Sequence, residues 1–353
     1  MSLEILAPEA PRWAGLFERL PDERKDVFYA PEYARLAADH LHKDGTPLCA
    51  ALETEAGFVL YPFLQRELKD LLAGSGVESA GRDTHGLYGR NGAVASSDDA
   101  DLLSLFHDAF RAYCAQNKIV CGFDRFHPVM ENQRWSDPAT KLVDIGGFVV
   151  VDLAKPLEEL EGAFKHAVRK SIKKAERAGI QVSSESSVDR LDRFLSVYSH
   201  TMQRRNARDF YYVEPAYYRA IAERLPGRYR YFYATLGPEV VSCELVMVQG
   251  HYCHSFLGGT LREHMDKCPN HILKREIIRW AKAAGCRHYL LGGGETPFNS
   301  IWSYKTGFAP EGSRPSFVGG AVYDQAEYDR LRAELERSGK PFPAGRLQFY
   351  DLR

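Results

Sequence analysis

Residues 301–308 hold a single lysine among aromatic and small residues. Lys305 directly follows Tyr304 and precedes Thr306 and Gly307. Burial of an ammonium group is costly unless a partner compensates its charge. We therefore expect Lys305 to pair with an anionic group or to polarise a carbonyl group, which makes the segment a candidate catalytic element.

A group of arginines lies in residues 201–208. Arg204, Arg205 and Arg208 fall within five residues of one another. The planar guanidinium group binds phosphate or carboxylate oxygens in pairs, so this spacing favours recognition of an anionic ligand. The alternative is the solvated end of an amphipathic helix.

Two further candidate sites lie in the N-terminal half of the chain. In residues 88–92, the glycines permit a tight turn that would let Tyr88 and Arg90 face a ligand. Arg125 and His127 end a predicted buried strand, and α/β folds place ligands at the ends of central strands. The alternatives are a plain surface turn and a histidine that is hydrogen-bonded to the backbone.

A marked charge pattern occupies residues 162–179. Apolar residues recur there at spacings of four, four and three, which predicts an amphipathic helix. Lys170, Lys173 and Lys174 fall on the face opposite the apolar stripe. That face would suit a polyanion such as a tRNA acceptor stem or a cofactor phosphate, whereas the alternative is a solvated linker helix.

Alternating helix and strand patterns must position these residues, and they predict a mixed α/β fold. Helices are expected at residues 31–40, 100–116 and 272–284, with a long loop region at residues 74–98. The expected strands are residues 48–52, 58–63, 119–126, 228–235, 240–248, 251–257 and 288–291. In each half a helix ends at a left-handed residue, Asn117 or Gly285, and a strand follows. We therefore predict an internal duplication of one α/β unit.

Length and composition exclude several classes of protein. The 353 residues suggest about two domains, and 44% hydrophobic with 26% charged residues exclude a disordered chain. A net charge of −1 excludes a global positive field that would attract DNA or RNA, although local basic patches remain. Seven scattered cysteines without a CxxC pair fit neither a zinc site nor a disulfide framework, so we expect reduced thiols.

No targeting segment or common catalytic motif is predicted. The N-terminal residues lack the basic and apolar regions of a secretory signal, and no apolar run is long enough for a membrane helix. The motifs GxSxG, P-loop, HExxH and GxGxxG at a strand–helix junction do not occur. The glycine run at residues 292–294, followed by Glu295, allows close backbone approach. We expect a soluble, cytoplasmic protein.

Several loosely defined motifs occur in an order that resembles the FemA/FemB/FemX family of peptidoglycan-bridge aminoacyltransferases and their GNAT-like relatives. The resemblance covers roughly residues 28–310 and implies two GNAT-like domains in tandem. The motifs are Phe-Tyr-Ala-Pro-Glu-Tyr-Ala-Arg at 28–35, Tyr-Pro at 61–62, Tyr-Gly at 88–89 with Gly92, Arg-Phe-His-Pro at 125–128 with Asn132, Arg-Lys-Ser-Ile-Lys-Lys-Ala at 169–175 with Gly179, Thr-Met-x-Arg at 201–204, Leu-Gly-Gly-Gly at 291–294 and Tyr-Lys-x-Gly-Phe at 304–308.

The resemblance implies transfer of an acyl or aminoacyl group onto an amine. In FemX-like members the donor is aminoacyl-tRNA and the acceptor is the lysine-type side chain of a peptidoglycan precursor. Arg35 and Arg204 match the basic residues that bind the diphosphate of the precursor. Lys305, with Tyr304 beside it, matches the lysine near the reacting carbonyl, where it would stabilise the oxyanion.

The amine acceptor must lose a proton, because a lysine-type amine has a pKa of about 10.4. Glu244 is a candidate base, since GNAT enzymes often place a carboxylate on the corresponding strand. Alternatively, Glu244 is the partner of a neighbouring arginine, or the phosphate or tRNA of a substrate accepts the proton.

Two departures from related patterns concern the donor. FemA and FemB carry a coiled-coil insertion, and no such heptad run occurs here, so the chain is closer to the compact FemX form. Many CoA-using GNATs have a glycine-containing loop that binds the pyrophosphate, but residues 267–273 lack both glycines and Pro269 has no N–H. This weakens the case for acetyl-CoA without excluding an acyl-CoA or an acyl-carrier protein.

Together these inferences predict an N-terminal GNAT-like domain at 1–160, a basic linker helix at 161–185 and a C-terminal GNAT-like domain at 186–353. No tightly bound cofactor or metal is expected; aminoacyl-tRNA or acyl-CoA would be a co-substrate. The expected partners are a peptidoglycan precursor or another amine and tRNA, with transient contact at the inner membrane surface but no DNA. A CoA- or carrier-dependent N-acyltransferase and a non-catalytic module that binds a cell-wall precursor or RNA are the alternatives. The predicted site residues are Lys305, Tyr304 and Glu244 for catalysis, Arg35, Arg204, Tyr88, Arg125 and His127 for the substrate, and Lys170, Lys173 and Lys174 for the donor.

Overall fold

A computed structural model describes residues 2–293 and 300–351, which form two compact units. Unit 1 comprises Met1–Ile145 and Ser316–Arg353, and unit 2 comprises Gly146–Pro315. Each unit has one β-sheet with helices packed on it. The predicted mixed α/β fold is therefore confirmed.

The first stretch of unit 1 contains helices and strands, most of which pair in antiparallel fashion. Pro31 occupies the first turn of its helix, where its missing N–H is not needed. The Asp99 carboxylate caps another helix by accepting the Leu102 amide at 2.8 Å. The elements are β1 (Glu4–Leu6), α1 (Pro11–Glu18), α2 (Pro31–His40), β2 (Gly45–Thr54), β3 (Gly57–Glu67), α3 (Leu68–Leu71), β4 (Arg82–His85), β5 (Val94–Ala95), α4 (Ala100–Gln116), β6 (Ile119–Arg125) and β7 (Lys141–Asp144).

Unit 2 follows without a separate linker, and the chain then returns to unit 1. The unit 2 elements are β8 (Phe148–Asp152), α5 (Leu157–Ala163), α6 (His166–Arg177), β9 (Gln181–Glu185), α7 (Leu191–Arg204), α8 (Pro215–Arg224), β10 (Tyr229–Leu236), β11 (Glu239–Gln249), β12 (Tyr252–Thr260), α9 (Pro269–Ala283), β13 (His288–Gly292), α10 (Ser300–Lys305) and β14 (Ser313–Arg314). The returning segment adds β15 (Phe317–Gly320) and α11 (Gln325–Ser338) to unit 1.

The two sheets repeat one topology. The strand order is β1-β2-β3-β4-β6-β15-β7 in unit 1, with β5 paired to β3, and β9-β10-β11-β12-β13-β8-β14 in unit 2. In each sheet one parallel pair stands among antiparallel pairs: β4 with β6, and β12 with β13. The helices α4 and α9 connect these parallel pairs. The predicted duplication is present in the topology.

The unit boundaries differ from the expected domains. The helix α6 is not a linker, because Val168, Ile172 and Ala175 are buried in the core of unit 2. Residues 316–353 belong to unit 1, because β15 pairs with β6 and Leu331 of α11 packs in its core. The apolar surfaces of these segments, rather than their order in the chain, decide which unit they join.

Two local expectations are wrong. Asn117 has a φ of −100°, and the left-handed residue after α4 is Lys118, with a φ of 55°. The expected loop at residues 74–98 contains β4 and β5, which pair with β3. By contrast, Gly285 after α9 has the predicted positive φ, 85°.

Among the described residues, no helix has both the length and the apolar character needed to cross a membrane.

Candidate active site

A buried carboxylate lies in the sheet of unit 2, on β11. Glu244 is 7% exposed and faces the buried side of α9. From this side, Lys274 donates a hydrogen bond to Glu244 Oε2 at 2.5 Å. The Tyr289 hydroxyl on β13 donates to the other carboxylate oxygen, Oε1. Burial and the Glu244 charge raise the pKa of Tyr289 well above its ordinary value, so the phenol keeps its proton and acts as the donor.

Lys274 is also buried, at 6% exposure, and it binds more than one acceptor. Besides Glu244, its Nζ donates to Ser255 Oγ at 3.1 Å and to Tyr289 Oη at 3.0 Å. These three bonds use all three N–H donors of an ammonium group. The partner of Glu244 is therefore a lysine, where the sequence suggested an arginine.

The strands around this cluster are locally irregular. The β11–β12 register shifts between Leu245 and Val246, which pair with Leu257 and Ser255 respectively. Gly258 lies opposite Glu244, and a Cβ there would come within 2.7 Å of the Cys243 carbonyl oxygen. The parallel β12–β13 pair ends after three residue pairs, so the strands part next to the cluster.

Tyr304 and Lys305 lie at the end of α10 in the same unit. The Tyr304 hydroxyl donates to the carbonyl oxygen of Asn270, in the first turn of α9, at 3.2 Å. Burial, with the Glu244 charge nearby, raises the pKa of Tyr304 above its ordinary value. The Lys305 ammonium donates to the Gly293 carbonyl oxygen at 2.7 Å, directly after β13. The structure therefore brings Glu244, Tyr304 and Lys305 to the N-terminal half of α9 and the end of β13.

The Lys305 ammonium lies close to the backbone of Gly292. Gly292 has a φ of 86°, which favours glycine, and a Cβ there would lie 3.1 Å from Lys305 Nζ. The remaining glycine of the predicted run, Gly294, and Glu295 lie outside the described residues.

The first turn of α9 differs from a glycine-rich phosphate loop. Cys268 precedes it with a φ of 58°, Pro269 has no N–H, and the His271 amide already donates to the Cys268 carbonyl oxygen at 3.0 Å. The His271 ring contacts the Tyr304 ring edge-on, and burial lowers its pKa to about 4. A neutral imidazole thus lies where a diphosphate would need positive charge or free amides.

The three predicted donor-binding lysines lie on α6. Lys170, Lys173 and Lys174 are exposed on the face opposite the buried apolar residues. Within the described part of the chain, none of them forms an ion pair with a carboxylate. The helix therefore presents uncompensated positive charge to solvent.

Arg204 is the last residue of α7 in unit 2. Its guanidinium group lies 3.3 Å from Met265 Sδ and 3.5 Å from the Thr260 carbonyl oxygen. Partial burial, together with Arg205 and Arg262, lowers its pKa. No carboxylate forms an ion pair with Arg204 among residues 2–293 and 300–351.

The other predicted substrate-binding residues belong to unit 1. Arg35 is exposed on α2 and pairs with Glu9 and with Asp39, the latter at 3.1 Å. Arg125 is also exposed, and its guanidinium group lies over the Phe123 ring. The Tyr88 carbonyl oxygen accepts the Tyr33 hydroxyl at 2.7 Å. Because Arg35 and Arg204 belong to different units, their binding of one diphosphate stays a prediction.

His127 is fully buried in unit 1. Its Nδ1 accepts the amides of Val129 and Met130 at 3.2 and 3.0 Å. Its Nε2 lies 3.0 Å from Asp26 Oδ2, so this nitrogen carries the ring proton and faces the carboxylate. The geometry matches the alternative of a histidine satisfied by the backbone.

A second buried carboxylate, Asp124 on β6, was missed by sequence reasoning. Its Oδ2 accepts the Tyr61 hydroxyl at 3.0 Å, whereas Oδ1 has no hydrogen-bond partner among the described residues. Burial raises its pKa to about 7, although the Tyr61 bond and a backbone bond from Gly92 act in the opposite direction. Asp124 therefore titrates near neutral pH.

Lys274 and Tyr289 were also missed, and a signal for Lys274 was present. Lys274 shares one helix face with Ile277, Ile278 and Ala281, which are all buried. A lysine on an apolar face indicates a buried partner, and Glu244 within the apolar run of β11 is the matching anion.

Comparisons with known proteins agree with this architecture. Residues 162–306, all in unit 2, match the family model described as an acetyltransferase (GNAT) domain. The crystal structure of FemX is similar at 13% identity and a TM-score of 0.69, covering 94% of this chain and 99% of that chain. L-PGS from Bacillus licheniformis is similar at 12% identity and a TM-score of 0.58, covering 95% of this chain and 98% of that chain.

A third similar structure is a tandem GNAT protein from the clavulanic acid biosynthesis pathway. It has 10% identity and a TM-score of 0.50, covering 91% of this chain and 99% of that chain. No curated protein matches the chain. The expected resemblance to FemX and its GNAT-like relatives is confirmed at the level of the fold. This chain has a tandem GNAT-like fold similar to that of FemX, and residues 162–306 within unit 2 match the acetyltransferase (GNAT) domain model.

Proposed function

We propose that unit 2 transfers an aminoacyl or acyl group from an activated donor to an amine. Aminoacyl-tRNA is the first-choice donor and a peptidoglycan precursor the first-choice acceptor, in the cytoplasm. The observation that carries this proposal is the Lys305 ammonium, 2.7 Å from a carbonyl oxygen at the end of the central strand β13. Ligands of α/β folds bind at such strand ends.

In the proposed reaction, the acceptor amine attacks the ester carbonyl of the aminoacyl-tRNA. An amide C–N bond forms, the ester C–O bond breaks, and the ribose oxygen of the tRNA leaves and takes up a proton as the free hydroxyl. The Lys305 ammonium, beside Tyr304, stabilises the oxyanion that develops on that carbonyl. Both oxygens of Glu244 already accept hydrogen bonds from Lys274 and Tyr289. This pairing favours proton transfer from the amine to a phosphate or to the tRNA of the substrates, with Glu244 as a fixed anion.

Two observations support a bulky polyanionic donor. The exposed lysines of α6 have no carboxylate partner in the described residues, which suits an RNA backbone. The α9 N-terminus has a proline and a neutral histidine where a CoA diphosphate would need free amides or positive charge.

A CoA-dependent N-acyltransferase is the second candidate, because the matching family model describes an acetyltransferase. A labelled-donor assay separates the two. The pure protein is incubated with peptidoglycan precursor and either labelled aminoacyl-tRNA or labelled acetyl-CoA. We expect the label of the aminoacyl-tRNA to move to the precursor, and movement of the acetyl label alone would favour the second candidate.

Lys305→Met tests whether transfer uses this site, and Lys155→Met is the matched control. Lys155 is a partly exposed lysine of unit 2 that pairs with Glu159. Loss of transfer in both variants, or in neither, would contradict the proposal. Absence of transfer from either donor to the precursor in the wild-type protein would favour a non-catalytic binding module.

A further inference from the structure

The buried cluster of unit 2 consists of Glu244, Ser255, Lys274 and Tyr289. Helix α9 connects this cluster to the candidate catalytic residues Tyr304 and Lys305. Lys274 lies one helical turn after Asn270 in α9. Asn270 accepts the Tyr304 hydroxyl through its carbonyl oxygen at 3.2 Å, and Tyr304 is adjacent to Lys305. A path of hydrogen bonds and one helical turn therefore joins Glu244 to Lys305.

Lys274 fastens the first two turns of α9 to three different strands. Its acceptors are Glu244 on β11, Ser255 on β12 and the Tyr289 hydroxyl on β13. The strands β12 and β13 pair for three residues, so Tyr289 lies within the paired stretch and Ser255 lies directly after its end. The three bonds of one ammonium add a side-chain connection at the end of this pairing.

The N-terminus of α9 has few other polar attachments. Cys268 provides no side-chain cap, and Pro269 has no amide to donate. The position of this turn therefore depends on packing, on Lys274 and on Arg275, which pairs with Glu176 of α6 at 2.5 Å. The Tyr304 hydroxyl binds the same turn, so a shift of α9 moves its acceptor.

We propose that Lys274 is a positioning residue of the unit 2 site: by tying α9 to the three strands, it holds the turn against which Tyr304 and Lys305 are placed. This inference rests on the proposed function for its catalytic consequence. Its structural consequence is independent of any substrate.

Hydrogen–deuterium exchange tests the structural part without an activity assay. In Lys274→Met, we expect amides in residues 300–308 to exchange at least about tenfold faster than in the wild-type protein. Lys282→Met is the matched control, because Lys282 lies in the last turn of the same helix and donates to the Leu153 carbonyl oxygen at 2.8 Å. It should leave exchange in residues 300–308 unchanged.

A double variant covers the case in which Lys274→Met does not fold because it leaves a buried carboxylate unpaired. In Glu244→Gln/Lys274→Met no buried charge is left alone, but the link to α9 is still missing. We expect this protein to fold and to show the same fast exchange in residues 300–308. Wild-type exchange there would mean that Lys274 only compensates the Glu244 charge, and it would overturn the inference.

Transfer kinetics then test the catalytic part. We expect Lys274→Met to lower kcat by about tenfold or more with a nearly constant KM for the acceptor, and Lys274→Arg to restore part of kcat. An equal loss in Lys282→Met, or a change in KM alone, would contradict a positioning role. If the wild-type protein transfers no label, the proposed function fails while the exchange result still decides the structural link.

Discussion

Unit 1 and unit 2 each bury a carboxylate between the sheet and the helix that joins the parallel strands, but their surroundings differ. In unit 2, α9 contributes Lys274 to Glu244. In unit 1, α4 contributes the Phe110 ring, which packs edge-on against the Tyr61 ring with 5.1 Å between the ring centroids. The Tyr61 hydroxyl in turn donates a hydrogen bond to Asp124. Within the described residues, Asp124 has no ion-pair partner.

The carboxylate and the tyrosine lie on matching strands of the two sheets, but they exchange places. In unit 2 the carboxylate is on β11 and the tyrosine, Tyr289, is on β13. In unit 1 the tyrosine, Tyr61, is on the matching strand β3 and the carboxylate is on β6. Hydroxyl residues lie between them on the matching strands β12 and β4, Ser255 and Thr84.

The difference shows what a counter-charge does on one scaffold. Both carboxylates are almost fully buried, Glu244 at 7% and Asp124 at 8% exposure. With a lysine beside it, the unit 2 carboxylate belongs to a hydrogen-bonded ion cluster. Without one, burial raises the pKa of Asp124 to about 7, so a proton takes the place of the cation.

Removal of the Glu244 charge should give the largest change in stability. Glu244→Gln leaves the Lys274 ammonium buried without an anion, which should lower the free energy of unfolding by about 3–5 kcal/mol. Urea unfolding would measure the loss. Glu244→Leu/Lys274→Met removes both charges and should lose less than half as much, so an equal or larger loss in the double variant would contradict a coupled pair.

Asp124 should make unit 1 less stable as the pH rises. Its folded-state pKa of about 7 is above the ordinary value of 3.8, so the protonated form is favoured in the folded protein. The contribution is complete below about pH 4 and is lost as the pH rises through 7, with a total of roughly 2–4 kcal/mol.

Asp124→Asn should remove this pH dependence, because the amide keeps the shape of the side chain without titrating. The difference in unfolding free energy between wild type and variant, measured from pH 4 to 9, should change most between pH 4 and 7. A difference that is constant with pH would mean that Asp124 does not titrate in this range.

The two predicted diphosphate-binding arginines, like the two carboxylates, differ in whether a residue of opposite charge pairs with them. Arg35 already has the carboxylates of Glu9 and Asp39, whereas Arg204 has no carboxylate partner in the described residues. Arg204→Ala should therefore raise the acceptor KM by about tenfold, with a smaller effect on the donor KM. Arg35→Ala should raise the acceptor KM less than Arg204→Ala does. Steady-state kinetics in which Arg35→Ala has the larger effect would contradict the proposed difference between the two arginines.

The lysines of α6 should give the smallest effect. Lys170→Gln/Lys173→Gln/Lys174→Gln should raise the KM for aminoacyl-tRNA by about threefold at low salt and reduce its salt dependence. The KM for the acceptor should not change. An unchanged donor KM over the whole salt range would indicate that α6 does not contact the donor.

Hydrophobic periodicity was sufficient to predict most of the fold. The helix at Ala100–Gln116 and the strands on either side of the turn at residues 55–57 follow directly from it. The membership of residues 316–353 could not be predicted, because β15 pairs with β6 across nearly 200 residues of chain. Such pairing depends on the whole sheet and leaves no local pattern.

The candidate site was predicted in part. Tyr304, Lys305 and Glu244 were singled out because their residue types, within short local motifs, indicate chemistry without knowledge of the tertiary contacts. Lys274 was overlooked because it follows the common composition of a helix, and only its place on the buried face distinguishes it. Asp124 was overlooked because its raised pKa comes from burial beneath α4, which a strand sequence does not reveal.

The most direct measurement for the proposed function is the transfer rate of Lys305→Met with saturating donor. Lys305 stabilises charge that is present only in the transition state, so kcat should fall by about 10²–10³ while the acceptor KM stays nearly constant. Lys155→Met should keep wild-type values. A Lys305→Met protein with wild-type kcat would contradict the proposal that transfer takes place beside this residue.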